Sequence, residues 1–157
     1  MKLKSILLSA MLLVGVVGCV EPESDNTLKV IEVTDHAFKL NGEDAVTVFI
    51  GHRDSPEFGF TILKSDLKKG TLIQSISGSA DNLKVSASVG AKYYKQSMEQ
   101  GTSASLQVLE LDKQAKTAKL AVGAKLYDPN LKDFKELEIT VVELTGVNFE
   151  NLVKEHP

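Results

Sequence analysis

Hydrophobic and polar residues alternate with a period of two along most of the chain after residue 27. In residues 118–126, for example, every second side chain is apolar, from Ala118 to Leu126. Because successive side chains of a β-strand point to opposite faces, the pattern predicts strands with one buried and one solvated face. The same alternation recurs in residues 46–50, 58–62 and 84–93.

Residues typical of turns separate these segments. They lie at 41–42, 51–56, 68–70, 78–82, 100–101 and 128–130, and most of these groups contain Gly, Pro or Asn. Strands spaced roughly 8–12 residues apart with such turns are typical of antiparallel folds. The sequence therefore predicts an all-β fold, an antiparallel β-sandwich or a barrel-like arrangement of about eight strands. Residues 112–116 predict a hairpin loop of about four or five residues.

Two segments change phase within one predicted strand. In residues 104–111 the apolar positions change face after Val108, and in residues 137–144 they change face after Val141. A change of face inside a strand predicts a β-bulge in each. The alternative is that both strands are covered on both sides.

Helical patterns are short or ambiguous. Residues 148–154 predict a single short helical turn with Asn148 as its N-cap. A helix in residues 92–100 is a further alternative, because that segment lacks Gly and Pro. Of the two adjacent tyrosines, one is expected inside and one outside, with Tyr94 joining Tyr127 at the surface.

The beginning of the chain has the pattern of an export signal. Lys2 and Lys4 precede an apolar run over residues 6–17. The run is about a dozen residues, whereas a helix needs about 20 to cross the hydrocarbon of a bilayer. The sequence therefore predicts a secretory signal, and a retained transmembrane helix is the alternative.

The signal ends in a more specific motif. Val16-Val17-Gly18-Cys19 resembles the lipobox of bacterial lipoproteins, with Val16 in place of the usual Leu. The resemblance implies that residues 1–18 are removed, that the Cys19 thiol is diacylated and that the new amine is usually acylated as well. In a cell with two membranes, Val20 implies sorting to the outer membrane, with the protein facing the periplasm. Cys19 is the only cysteine in the chain, and lipidation explains this odd thiol. Ordinary signal cleavage with a free thiol is the alternative.

Composition predicts one domain behind this anchor. Residues 19–27 form the modified cysteine and an acidic, polar tether, and residues 28–157 form a single domain. Without Lys2 and Lys4, 16 cations stand against 21 anions, a formal charge of −5. Nucleic acid is therefore not an expected partner, because its binding needs a basic surface.

Chemistry-bearing residues are densest in residues 51–59, which we expect to form a polar loop. His52, Arg53, Asp54 and Glu57 make it a candidate binding loop, because rigid sheets often display binding residues on loops. The simpler interpretation is a charged connection between strands. The three histidines do not have a metal-ligand spacing, and no serine-nucleophile motif occurs, so we expect no metal, cofactor or catalytic site.

These observations predict a lipid-anchored protein of the cell envelope that acts as a non-catalytic binding or structural module. Its expected partners are the membrane, through Cys19, and a protein of the envelope. Two alternatives are a small-ligand carrier with a cavity between its sheets and an envelope hydrolase that uses residues 51–59.

Overall fold

The computed structural model describes residues 27–34, 39–78 and 80–155. Cys19, the signal, most of the tether, His36 and His156 lie outside these residues. The described residues form ten strands, a 3-10 helix and an α-helix: β1 (Leu28–Thr34), β2 (Lys39–Leu40), β3 (Glu43–His52), β4 (Ser55–Leu63), the 3-10 helix (Lys64–Asp66), β5 (Leu72–Ile76), β6 (Leu83–Val89), β7 (Lys92–Lys95), β8 (Ser103–Asp112), β9 (Thr117–Asp128), β10 (Asp133–Leu144) and α1 (Gly146–Val153).

The strands form one antiparallel sheet in the order β1-β3-β4-β6-β7-β9-β8-β5, with β10 beside β9 and β2 beside β3. This sheet curls into a half-barrel. The predicted all-β, antiparallel, barrel-like fold is confirmed. The described residues contain ten strands instead of about eight, partly because β2 has only two residues and partly because residues 84–93 belong to two strands.

The concave face of the half-barrel is apolar because every second residue of the central strands points into it. In β3 these residues are Val46, Val48 and Ile50, all fully buried as predicted. Phe149 and Leu152 of α1 are buried in the same core. Burial of each large side chain contributes about 1.5–3 kcal/mol, so the alternation itself supplies the main driving force for the curl.

Both predicted bulges are present. The register of β8 against β9 shifts between Val108 and Glu110, at the predicted position. The register of β10 against β9 shifts between Leu137 and Thr140, earlier than predicted. The consequence is that Ile139 and Val141 point outward, with 78% and 57% of their surface exposed.

The prediction for the two tyrosines was wrong. Residues 84–93 do not form one strand, because the chain turns at Gly90, which has a φ of 60°. The turn resets the alternation, so Tyr94 is buried and Tyr93 is exposed. The helix considered for residues 92–100 is also wrong, because β7 occupies its first half.

Helix α1 completes the edge of β1. It begins at Gly146 after Thr145, so the prediction of Asn148 as its cap was wrong. Asn148 instead accepts a hydrogen bond of 3.1 Å from the backbone N–H of Val33, and the Asn151 amide donates one of 3.0 Å to the Val33 carbonyl. Residues three apart share one helix face, which lets the two side chains reach the same residue. They act as a substitute for a neighbouring strand.

We predict that Asn148→Ala and Asn151→Ala each lower the free energy of unfolding by about 1 kcal/mol, because each leaves a backbone group of buried Val33 without its partner. Urea unfolding followed by circular dichroism measures the change. Glu150→Ala is the matched control on the same helix, because it removes only an exposed ion pair with Lys116 and is expected to cost less than about 0.5 kcal/mol. Equal effects of all three substitutions would contradict the prediction.

Candidate functional site

Residues 51–59 do not form the predicted loop. β3 extends to His52 and β4 begins at Ser55, so only Arg53 and Asp54 make the turn. Two local features allow so tight a connection. Arg53 adopts a left-handed φ of 56°, which suits a two-residue hairpin turn. Gly51 lies so close to the opposite strand that a Cβ there would be 1.9 Å from the Ser55 carbonyl oxygen.

His52, Glu57 and Lys135 meet at the base of this hairpin, in a group that we call the ion-pair cluster. Glu57 Oε1 lies 2.6 Å from His52 Nδ1, and Glu57 Oε2 lies 3.2 Å from Lys135 Nζ. An ionised carboxylate only accepts hydrogen bonds, so His52 Nδ1 carries the hydrogen in this contact. Lys135 Nζ also lies 5.6 Å from the centroid of the Phe58 ring. The cluster therefore joins β3, β4 and β10.

The carboxyl group of Glu57 is held in its ionised form. Burial by itself raises the pKa of Glu57, but hydrogen bonds from His52 and Lys135, together with their charges, outweigh burial and place the pKa below its ordinary value. A general acid at neutral pH needs the opposite shift. The geometry of the cluster thus suits a structural link between strands and not proton donation by Glu57.

The other two residues of the predicted site lie apart from the cluster. Asp54 Oδ1 is 3.9 Å from Lys29 Nζ, an exposed pair of the kind that contributes little to stability. Arg53 is exposed at the tip of the turn. The structure therefore brings His52 and Glu57 together, adds Lys135, and leaves Arg53 and Asp54 in solvent.

Neither a metal site nor a membrane-spanning helix occurs in the part of the chain that the structure describes. No three His, Cys, Asp or Glu side chains in residues 27–34, 39–78 and 80–155 come together in a way that could hold a metal ion. Across the same residues, each helix falls short of the length and apolar character needed to span a bilayer.

A second candidate site lies on the convex face of the sheet, across β5, β8, β9 and β10. It is an open depression of about 440 Å³, which we call the outer trough. Ile76 and Ile139 form its walls and are 71% and 78% exposed. Ser105 and Gly123 lie between them. A Cβ on Gly123 would approach Ile139 Cγ1 to 3.2 Å, so the glycine leaves room beside Ile139.

The rim of the outer trough is charged, whereas Ile76 and Ile139 are aliphatic. Lys125 and Glu136 pair at 2.9 Å, and Lys125 Nζ lies 4.9 Å from the centroid of the Phe134 ring. Farther along β8 and β9, Glu110 and Lys119 pair at 3.5 Å. Lys125, Glu136 and Glu138 also line the trough, so its aliphatic walls lie among charged side chains.

The sequence does not predict the outer trough, because a bulge after Val141 would keep Ile139 and Val141 on the same face as Leu137, whereas the observed bulge precedes Thr140. A usable signal was present at Gly123. A glycine inside a regular strand often marks a close approach of another group.

Comparisons with known protein families, with curated proteins and with solved structures found nothing that matches this chain.

We predict that Glu57→Gln lowers the free energy of unfolding at pH 7 by about 1–2 kcal/mol, through loss of charge-assisted hydrogen bonds. The pKa of Glu57 is lowered in the folded state, so its contribution is present above the unfolded value near 4.3 and is lost as pH falls through the folded pKa. The difference between the wild type and the variant should therefore shrink below about pH 4.

Urea unfolding at several pH values checks this prediction. Glu138→Gln is the control, because Glu138 is an exposed carboxylate on β10 outside the cluster, and its replacement should change stability by less than about 0.5 kcal/mol. A Glu57→Gln effect that stays constant from pH 7 to pH 3 would contradict the role of the ionised carboxylate.

Proposed function

We propose that this chain is a lipid-anchored, non-catalytic module of the cell envelope that binds a protein partner through the outer trough. One observation carries the proposal: two large aliphatic side chains, Ile76 and Ile139, stand exposed on either side of Gly123, with charged residues at the rim. Exposed apolar patches rimmed by polar residues mark interaction surfaces.

The shape and chemistry of the outer trough favour a protein as its occupant. An apolar centre with a polar rim is the anatomy of protein–protein interfaces. The trough is shallow and open, whereas sites for small molecules usually enclose most of the ligand surface. Its walls are aliphatic, and Ser103, Ser105 and Gln74 add uncharged polar groups. The best fit is an extended protein segment that inserts apolar side chains and offers hydrogen bonds to the rim.

The packing of the domain supports this proposal over a ligand carrier. The core between the curled halves of the sheet is filled by large side chains, among them Phe60, Leu106 and Leu120, which are fully buried. The ion-pair cluster likewise supports a binding module over a hydrolase, since the carboxylate of Glu57 already contacts both His52 and Lys135.

The anchor is proposed from the sequence alone. Residues 20–27 separate Cys19 from β1, and eight residues span at most about 28 Å when extended. A domain on so short a tether stays next to the bilayer, so its partner would be a protein at or near the same membrane. If the cell has two membranes, the proposed location is the periplasmic face of the outer one.

We predict that Cys19→Ala abolishes metabolic labelling with a fatty acid and releases the protein from membranes, because the acyl chains provide the tether. Fractionation and labelling of cells that express the full chain measure both effects. Ser24→Ala, in the tether, is the control and should remain labelled and bound. An unlabelled wild type together with a membrane-bound Cys19→Ala variant would refute the anchor.

We predict that Ile139→Asp removes the protein partner from cross-linked, affinity-purified complexes, because it places a charge on the wall of the outer trough. Quantitative mass spectrometry compares the proteins retained by the wild type and by the variant. Val147→Asp is the matched control, since Val147 is a comparably exposed aliphatic residue on α1. Circular dichroism should show that both variants are folded. The same proteins retained by Ile139→Asp and Val147→Asp would contradict a docking role for the trough.

A further inference from the structure

Three turns of the described sheet lie at the same end of the half-barrel as the start of β1. They are residues 53–54 between β3 and β4, 90–91 between β6 and β7, and 129–132 between β9 and β10. β4 pairs with β6 and β7 pairs with β9, all antiparallel, so the three turns point the same way. Leu28 pairs with His52 beside the first turn. Because the tether joins the domain at Leu28, we call this the tether end.

The tether end presents apolar and aromatic side chains to solvent. Leu131, in the β9–β10 turn, is 50% exposed, and Phe134 after the turn is 40% exposed. On the β6–β7 hairpin, Tyr93 is 53% exposed and Val89 is 39% exposed. Turns are usually built from Gly, Pro, Asn, Asp or Ser. Turn geometry therefore does not explain a leucine at this position.

A buried carboxylate holds two of these hairpins in place. Asp128 is only 2% exposed, and its Oδ1 accepts hydrogen bonds from the N–H groups of Asn130 at 2.8 Å and Leu131 at 3.3 Å. Its Oδ2 accepts one of 3.4 Å from the N–H of Tyr93. One side chain thus fixes the turn that carries Leu131 and ties it to the strand that carries Tyr93. A surface ordered in advance pays less entropy when it binds.

Cations lie beside the exposed apolar residues. Lys132 directly follows the exposed leucine, Lys92 directly precedes the exposed tyrosine, and all of these side chains are exposed. The β3–β4 turn adds Arg53, while the exposed carboxylates at this end belong to Asp54 and Asp133. Apolar and aromatic side chains next to Lys or Arg are typical of segments that lie in a membrane interface. There the apolar groups are buried and the cations contact lipid phosphates. The pattern therefore indicates a lipid surface.

The length of the tether agrees with this interpretation. Residues 20–27 span at most about 28 Å when extended, and they join the domain at the end that carries the three turns. Of the two ends of the half-barrel, the tether end is therefore the one held nearer to Cys19. The exposed leucine and tyrosine lie at this end.

We propose that the tether end rests on the bilayer that holds Cys19, with Leu131 and Tyr93 at the boundary between headgroups and acyl chains. Groups bound in this way reach about 5–10 Å into that boundary. The inference rests on the anchor of the proposed function and adds the orientation of the domain. The outer trough lies on the face of the sheet and not on these turns, so it stays open to a protein partner.

Tryptophan fluorescence tests the orientation, because the chain contains no native tryptophan. Leu131→Trp and Tyr93→Trp each place a single reporter at the tether end. Val147→Trp is the matched control, since Val147 is 67% exposed and lies on α1, which follows β10 at the opposite end. Each full chain is expressed in cells that process it, purified in detergent and reconstituted into phosphatidylethanolamine–phosphatidylglycerol vesicles. The vesicles are made with and without lipid brominated on its acyl chains.

We expect brominated lipid to quench Leu131→Trp and Tyr93→Trp several-fold more strongly than Val147→Trp. Their emission should also move to shorter wavelength when the vesicles are present. Equal quenching of all three variants in protein that floats with the vesicles would overturn the orientation and leave the anchor standing. Protein that does not float with the vesicles would refute the anchor, and the orientation would fall with it. If Leu131→Trp unfolds by circular dichroism, Tyr93→Trp alone gives the same comparison.

A second substitution separates contact with lipid from mere proximity. In the Tyr93→Trp background, Leu131→Asp places a charge where the proposal has an apolar group in the interface. We expect it to reduce quenching by brominated lipid several-fold, whereas Val147→Asp in the same background should leave quenching unchanged. Circular dichroism checks that both double variants are folded. Unchanged quenching in folded Leu131→Asp protein that still floats with the vesicles would overturn the proposal.

Discussion

An open β-sheet leaves backbone N–H and C=O groups without strand partners along its outermost strands, and this half-barrel depends on how those groups are satisfied. At β1 two side-chain amides of α1 satisfy these groups. Asn148 accepts a hydrogen bond from the N–H of Val33, and Asn151 donates one to the carbonyl of Val33. Because α1 also buries Phe149 and Leu152, the element that covers the edge is held in place by the core. Edge protection and core packing are therefore coupled at this end of the fold.

The bulge in β10 divides that strand into two halves that make different contacts. On one side of it, Lys135 reaches Glu57 and ties the strand to the β3–β4 hairpin. On the other side, Ile139 leans over Gly123 and forms a wall of the outer trough. A strand without the bulge would keep a single alternation, and Ile139 would then point into the core with Leu137. The same irregularity thus holds the half-barrel together and exposes the aliphatic surface.

The sequence predicted the concave face well wherever the residues of the opposite face are polar or small. Val46, Val48 and Ile50 were placed correctly because the alternation in β3 is regular. The prediction from the hydrophobic pattern failed in β10, where apolar residues lie on both faces and the pattern alone cannot locate the bulge. It also failed at Tyr94, because a single exposed glycine turn resets the phase. Both errors come from the position of a bulge or a turn, which the period of the hydrophobic pattern does not reveal.

The candidate site was predicted only in part for a similar reason. His52 and Glu57 lie in one segment and were found together, but Lys135 is 78 residues away from Glu57 in the sequence. The predicted loop became a two-residue turn because Gly51 permits an approach that any side chain would block. The outer trough depends on side chains from four strands, so it becomes visible only when their register is known.

The contact between Val33 and α1 also has a consequence for the order of events in folding. Asn148 and Asn151 lie 115 and 118 residues after Val33 in the sequence, whereas β8, β9 and β10 are successive hairpins. Local contacts form faster than distant ones, and a chain emerges from the ribosome with its N-terminus first. We therefore expect the C-terminal hairpins to form early, although they are synthesised late. The edge of β1 is therefore covered only after α1 has been synthesised. In a nascent chain interrupted before Asn148, the backbone groups of Val33 would lack these two partners.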